Sequence, residues 1–132
     1  FKNYIKRGKI MNRVCLSGNL CKDIELKKTS SKKAVVSNII AVNRDFKNDD
    51  GEYETDFINI VVWEKTAEYL SKYAKKGDRI ELVGKWQVRQ YQSSDGKNKV
   101  VNECIVEWLK ITNSRKQEEP QQVEEDDDSL PF

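Results

Sequence analysis

Apolar and polar positions along the chain alternate with a period of two over most of residues 12–111, broken by one helical stretch. NRVCLSG, 12–18, alternates around Val14 and Leu16 and predicts a strand. A second short strand is expected around 22–28, followed by the polar loop TSSKK. Residues 34–46, AVVSNIIAVNRDF, are long, apolar and rich in β-branched side chains. KNDDGEYE, 47–54, has turn composition, and TDFINIVVW, 55–63, returns as the other arm of a hairpin. In EKTAEYLSKYAKK, 64–76, the period changes. Ala67, Leu70, Tyr73 and Ala74 fall on one helical face, with Lys75 and Lys76 in the last turn and Gly77 just past the end. Strand character resumes at 79–91, SSDG at 93–96 forms a turn, and 99–111 is a last strand. Long strands around a single helix fit a small β-barrel better than a sandwich or a βαβ fold.

Strand parity then separates a core face from an outer one, because successive side chains point to opposite sides. Ile58, Ile60 and Val62 share the core phase, and Phe57, Asn59, Val61 and Trp63 the other. Ile80, Leu82, Trp86 and Val88 share a phase that reads as core, while Lys85, Gln87, Arg89 and Tyr91 form a basic face ending in an aromatic. Trp108 is assigned to the core with Trp86. Phe46, between Arg44 and Lys47 at the mouth of the long hairpin, is ambiguous by parity.

Charge divides the chain in two. Residues 1–112 hold 22 Lys/Arg and 15 Asp/Glu; residues 113–132 hold 2 and 7. A positive body favours a polyanion, and a negative tail favours a basic partner. The opening FKNYIKRGKI, 1–10, is basic and mixed, and reads either as an extension ahead of a start at Met11 or as a basic arm. Residues 11–112 form the domain. Residues 113–132 have too few apolar side chains to offset the entropy of ordering and are expected to be a disordered acidic tail. That tail closes on Asp126, Asp127, Asp128, Leu130, Pro131 and Phe132, and apolar residues at the end of an acidic run suit a hydrophobic pocket ringed by Lys or Arg.

No apolar run approaches the roughly 18 residues that a membrane span needs. The chain contains no His, and neither a phosphate-cradling Gly loop nor a C-x-x-C. Cys15, Cys21 and Cys104 read as small apolar residues in a reducing cytoplasm, and neither metal nor cofactor is expected. An enzyme is disfavoured, a metal-dependent nuclease using Asp23, Asp56 or Asp78 being the remaining option of that kind. Aromatics interleaved with Lys and Arg on an exposed sheet are what unpaired nucleic acid requires. Each base offers a flat π-face, stacking contributes about 1–3 kcal/mol per base, and the cations follow the phosphates. A cold-shock-type RNA-binding module and a purely structural adaptor are the competing readings.

The runs NRVCLSGNLCKD, AVNRDF, DFINIVVWEKTAE, KKGDRIELVGKWQVRQYQSSDG and the terminal DDDSLPF resemble, in that order, the bacterial and phage single-stranded DNA-binding proteins. The resemblance implies an all-β OB-fold, a five-stranded Greek-key barrel with one helix, assembled as a homotetramer in the cytoplasm. It also implies sequence-independent binding of single-stranded DNA in replication, recombination and repair, and recruitment of partner proteins by the acidic tip. The family's stacking positions fall on Phe46, Phe57, Trp63 and Tyr91, and its backbone contacts on Arg44, Lys65, Lys85 and Arg89. Phe46, Phe57 and Tyr91 stand where the family often has Trp, which implies weaker stacking. The linker to the tip lacks the long Gly/Gln-rich stretch seen in many members.

Overall fold

The computed structural model describes residues 10–113. The basic segment before residue 10 and the acidic tail from residue 114 on, with its tip from Asp126 to Phe132, lie outside the described residues. Among the described residues, six strands and one helix follow in the order β1 (Val14–Leu20), β2 (Lys27–Lys28), β3 (Ala34–Lys47), β4 (Tyr53–Trp63), α1 (Glu64–Tyr73), β5 (Arg79–Gln92) and β6 (Asn98–Ile111). The sheet runs β1-β5-β6-β4-β3-β2, and an additional β1–β3 pairing closes it. These pairings are antiparallel except β4–β6, where Asn59, Ile60, Val61 and Val62 lie beside Glu103, Cys104, Ile105 and Val106. A closed barrel of β1, β3, β4, β5 and β6 with a parallel pair and one helix between β4 and β5 is the OB-fold topology.

Closure requires close approach at two glycines. A Cβ at Gly18, where β1 pairs with both β5 and β3, would run into the carbonyl oxygen of Ala41, and one at Gly84 into that of Ile105. The core is centred on Leu20, Val36, Ile40, Ile60, Val62, Ile80, Leu82 and Cys104 of the strands, with Ala67 and Leu70 from the helix. Ile60 and Val62 are buried and Ile58 is half-buried, as the parity of β4 predicts. Burial pushes the Cys104 thiol above its ordinary range, consistent with an inert packing role.

Four details differ from the sequence reading. The strand expected over 22–28 shrinks to the two residues of β2. The helix stops at Tyr73, not at 76: Ala74 is already extended, its N–H donating to the Leu70 carbonyl. Gly77 therefore sits in the following turn, donating its N–H to the Leu20 carbonyl, and Tyr73 is exposed. Trp86 and Val88 are not core. They are 38% and 58% exposed, because β1 pairs with β5 only as far as Gly84, and the register pairs of β4 with β6 begin at the level of Gln87 and leave Val88 beyond them. Trp108 is not core either. The register shifts between Val83 and Gly84, which pair with Trp108 and Val106. The intervening Glu107 is a bulge that turns Trp108 onto the outer face, 50% exposed.

Candidate nucleic-acid interface

The register assembles the outer face of the barrel from four strands. Phe57 lies opposite Ala41 and Trp63 opposite Val35. Ile39, Asn59, Glu103 and Gln87 form one transverse row, and Ser37, Val61, Ile105 and Lys85 the next. Phe57 and Trp63 are exposed, 67% and 37%, about 20 Å apart along the strand at the usual rise per residue. Asn59 between them is also exposed and donates to the Asn102 carbonyl at 3.3 Å. Val61, expected on this outer face, is buried between its neighbours Ser37 and Ile105, so the face is interrupted there.

Trp63 is held by an abrupt transition. It is the last residue of β4 and stands directly before α1, with no loop between. Glu64 makes the turn with a left-handed backbone, φ 57°. A non-glycine residue in that region costs about 1–3 kcal/mol. The strain sits immediately beside an exposed indole. Lys65 follows in the first helical turn, exposed, and lines a shallow cleft with Thr66, Tyr69 and Trp108.

The second group comes from the β5–β6 hairpin. Lys85, Gln87, Arg89 and Tyr91 project from one side of it, as parity predicts, and Lys99 is the register partner of Tyr91. Tyr91 is 45% exposed, and the Arg89 guanidinium lies over its ring, 6.0 Å from the centroid. Arg89 donates from Nε and Nη2 to Glu103 at 3.1 and 3.2 Å, and Gln87 donates to the same carboxylate at 3.2 Å. The hydrogen bond and the charge of Glu103 hold the Arg89 pKa above its ordinary value. The sequence reading missed Glu103. Its own parity with Lys99 and Val101 was the available signal, but the alignment with Arg89 depends on strand pairing.

Arg44 falls elsewhere. It is bound to Asp56 at 3.0 and 3.1 Å and to Glu54 at 2.9 Å. These acids have the parity of Ile58, so Arg44 is on the side of the β3–β4 hairpin opposite Phe57. The Arg44 hydrogen bonds hold the Asp56 carboxyl below its usual range, and Asp56 raises the guanidinium in return. Phe46, 69% exposed, lies in the irregular segment between Asn43 and Lys47 where the register shifts. The face thus brings together Phe57, Trp63, Lys85, Arg89 and Tyr91, with Lys65 at its helical border and Phe46 at the hairpin tip, and leaves Arg44 behind it.

Among the described residues no helix is long and apolar enough to cross a membrane, and no group of three or more His, Cys, Asp or Glu could hold a metal. What the arrangement offers is flat π-surfaces beside cations on the exposed outer face of a barrel, the requirement for stacking unpaired bases.

Comparison with known proteins bears on the fold and the family. The fold is shared with a solved Plasmodium falciparum SSB complex with ssDNA, at TM-score 0.72 and 24% identity over 81% of this chain and 99% of that one. Single-stranded DNA-binding protein 1 of Streptococcus pyogenes is 45% identical over 80% of this chain and 82% of its own length. The single-stranded DNA-binding protein of Streptococcus mutans is 42% identical over 85% and 68%. The model of the single-strand binding protein family matches residues 11–114. On the family model and these relatives, the chain belongs to the single-strand binding protein family.

Proposed function

We propose that this protein binds single-stranded DNA without regard to base sequence and shields it during replication, recombination and repair. The observation that carries the reading is the pair of exposed aromatics, Phe57 and Trp63, on the side of β4 facing away from Ile60 and Val62. Large aromatics there contribute nothing to the core. Tyr91 extends the surface onto the β5–β6 hairpin and Phe46 onto the β3–β4 hairpin. Bases stack on these rings, while Lys65 and Lys85 accompany the phosphates. The names of the Streptococcus relatives and of the Plasmodium complex support single-stranded DNA as the ligand.

Two further parts of the reading concern proteins. A homotetramer is supported by family membership and by an apolar row on the outer face of β1, β5 and β6, where Cys15, Val83 and Trp108 lie side by side in register. Multi-angle light scattering giving a monomer mass at micromolar concentration refutes it. Recruitment of replication and repair enzymes is assigned to Asp126, Asp127, Asp128, Leu130, Pro131 and Phe132. The acids steer toward a basic rim and Phe132 fills an apolar pocket. Phe132→Ala should then lose those partners in a pull-down although the charge is unchanged.

The deciding experiment is a fluorescence titration with oligo-dT, an RNA oligomer of equal length and duplex DNA at one salt concentration. Tryptophan emission should fall on oligo-dT addition as Trp63 stacks. Equal affinity for duplex and single strand sinks the reading, and preference for RNA replaces it with an RNA-binding one.

A further inference from the structure

The outer face holds a contradiction for a surface that binds a polyanion. Glu103 lies near its middle, in the transverse row of Asn59 and Gln87, and its side chain is only 5% exposed. A buried carboxylate facing DNA would repel phosphate unless another group cancels its charge. Arg89 does so with two parallel N–H donors, and Gln87 satisfies a further lone pair. The same guanidinium lies over the Tyr91 ring.

We infer that Glu103 and Arg89 act in DNA binding as one unit of no net charge, in which Glu103 positions Arg89 as a brace for Tyr91 and not as a phosphate clamp. The inference rests on the proposed single-stranded DNA reading. Its physical basis is the asymmetry of the pair. Arg89 is half exposed, but Glu103 is not. A phosphate that drew Arg89 away would strand a desolvated carboxylate, and breaking a buried pair by removing one partner is strongly unfavourable. Arg89 therefore stays with Glu103 when DNA arrives. A pair with no net charge releases no counterion, so it adds nothing to the salt dependence of binding. What it adds is order. The bidentate fork fixes the guanidinium plane, and the plane limits the motion of Tyr91, so that less freedom is lost when a base stacks on the ring. Glu103 is a positioning residue, and its effect passes through Arg89 to Tyr91.

The test is the affinity of the full chain for fluorescein-labelled oligo-dT across a range of salt, for wild type and for Glu103→Gln/Arg89→Gln. The double variant removes both charges and keeps groups able to hydrogen-bond each other. On a log–log plot its line should run parallel to wild type and lie about three- to tenfold weaker, the size expected for loss of a ring-bracing cation. A slope shallower by about 0.7, the contribution of one neutralised phosphate on a single strand, makes Arg89 a phosphate contact and overturns the inference. A line that coincides with wild type overturns it as well. Arg89→Lys guards against a folding defect, since it retains the charge of an exposed residue and loses only the fork and flat face. It should show the same parallel displacement, whereas affinity equal to wild type contradicts the bracing role. Failure of the wild-type chain to bind oligo-dT refutes the single-stranded DNA reading itself, a result distinct from all of these.

Discussion

Within β5, Arg79–Gly84 and Lys85–Gln92 carry the same alternation and meet opposite fates. In the first half Ile80, Leu82 and Gly84 are buried while Arg79 and Glu81 face solvent. In the second half Trp86 and Val88 continue the inner phase, yet every residue from Lys85 to Gln92 is exposed. The difference lies behind the strand. Up to Gly84 β5 is flanked by β1 as well as β6 and its inner face packs on the barrel; past Gly84 β1 is gone, and past Gln87 the register pairs with β4 end as well, so that the two-stranded hairpin runs on alone. Alternation reports which side chains share a face, and a core exists only where other elements close over that face.

The largest effects should come from the barrel half. Leu82→Ala should cost about 2–5 kcal/mol, whereas Val88→Ala, in the same phase six residues on, should stay within about 0.5 kcal/mol. Thermal melts of the two variants measure this directly, and equal losses would erase the distinction between the halves. Gly84→Ala tests the boundary. Its Cβ would meet the Ile105 carbonyl and the Cys104 sulfur, and backbone cannot yield as a flexible side chain can. A loss of about 1–3 kcal/mol in urea unfolding is expected, and an unchanged midpoint would mean that the strands can separate there at little cost.

The protruding half should respond in binding and not in stability. Tyr91→Ala, like Phe57→Ala on β4, should weaken oligo-dT binding by about 1–3 kcal/mol and leave the melting temperature unchanged. Trp86→Ala should cost only about 1 kcal/mol of stability, well short of the roughly 3–5 kcal/mol of a buried aromatic. Its backbone bonds to Asn12, at 2.8 and 2.9 Å, survive the substitution. A loss as large as that of Leu82→Ala would restore Trp86 to the core.

The barrel was legible in the sequence because its determinants are local: period two in the strands, one helical interruption, and turn residues between them. The faces of β4 were legible for the same reason, and Phe57 and Trp63 emerge where parity puts them. Trp86, Val88 and Trp108 were misread because parity carries no information about where a strand leaves the barrel or where a bulge at Glu107 reverses its phase. Glu103 was missed because its partner Arg89 is fourteen positions away along the chain and meets it only through the β5–β6 register. Arg44 shows the same limit, since its acids Glu54 and Asp56 are brought to it by β4.

The smallest expected effect separates the two hairpins by their arginine pairs. Arg44 and Asp56 are both about half exposed, unlike the buried Glu103. Arg44 holds the Asp56 carboxyl below its ordinary value, chiefly through the hydrogen bond. A carboxyl whose folded pKa is depressed releases its proton more readily in the native state, so it stabilises the fold at every pH above its unfolded value of about 3.9. That stabilisation disappears as the pH falls through the lower, folded value. Asp56→Asn should therefore melt slightly below wild type at pH 7, and the two curves should draw together as the pH drops below about 4. Solvent screening keeps the gap small, and added salt should narrow it further at pH 7. Melting temperatures of both proteins at about pH 7 and pH 3, each at low and high salt, test the point. A gap as wide in acid as at neutral pH would show that Asp56 acts through packing and not through its charge, and the β3–β4 hairpin would then resemble the barrel more than the β5–β6 arm.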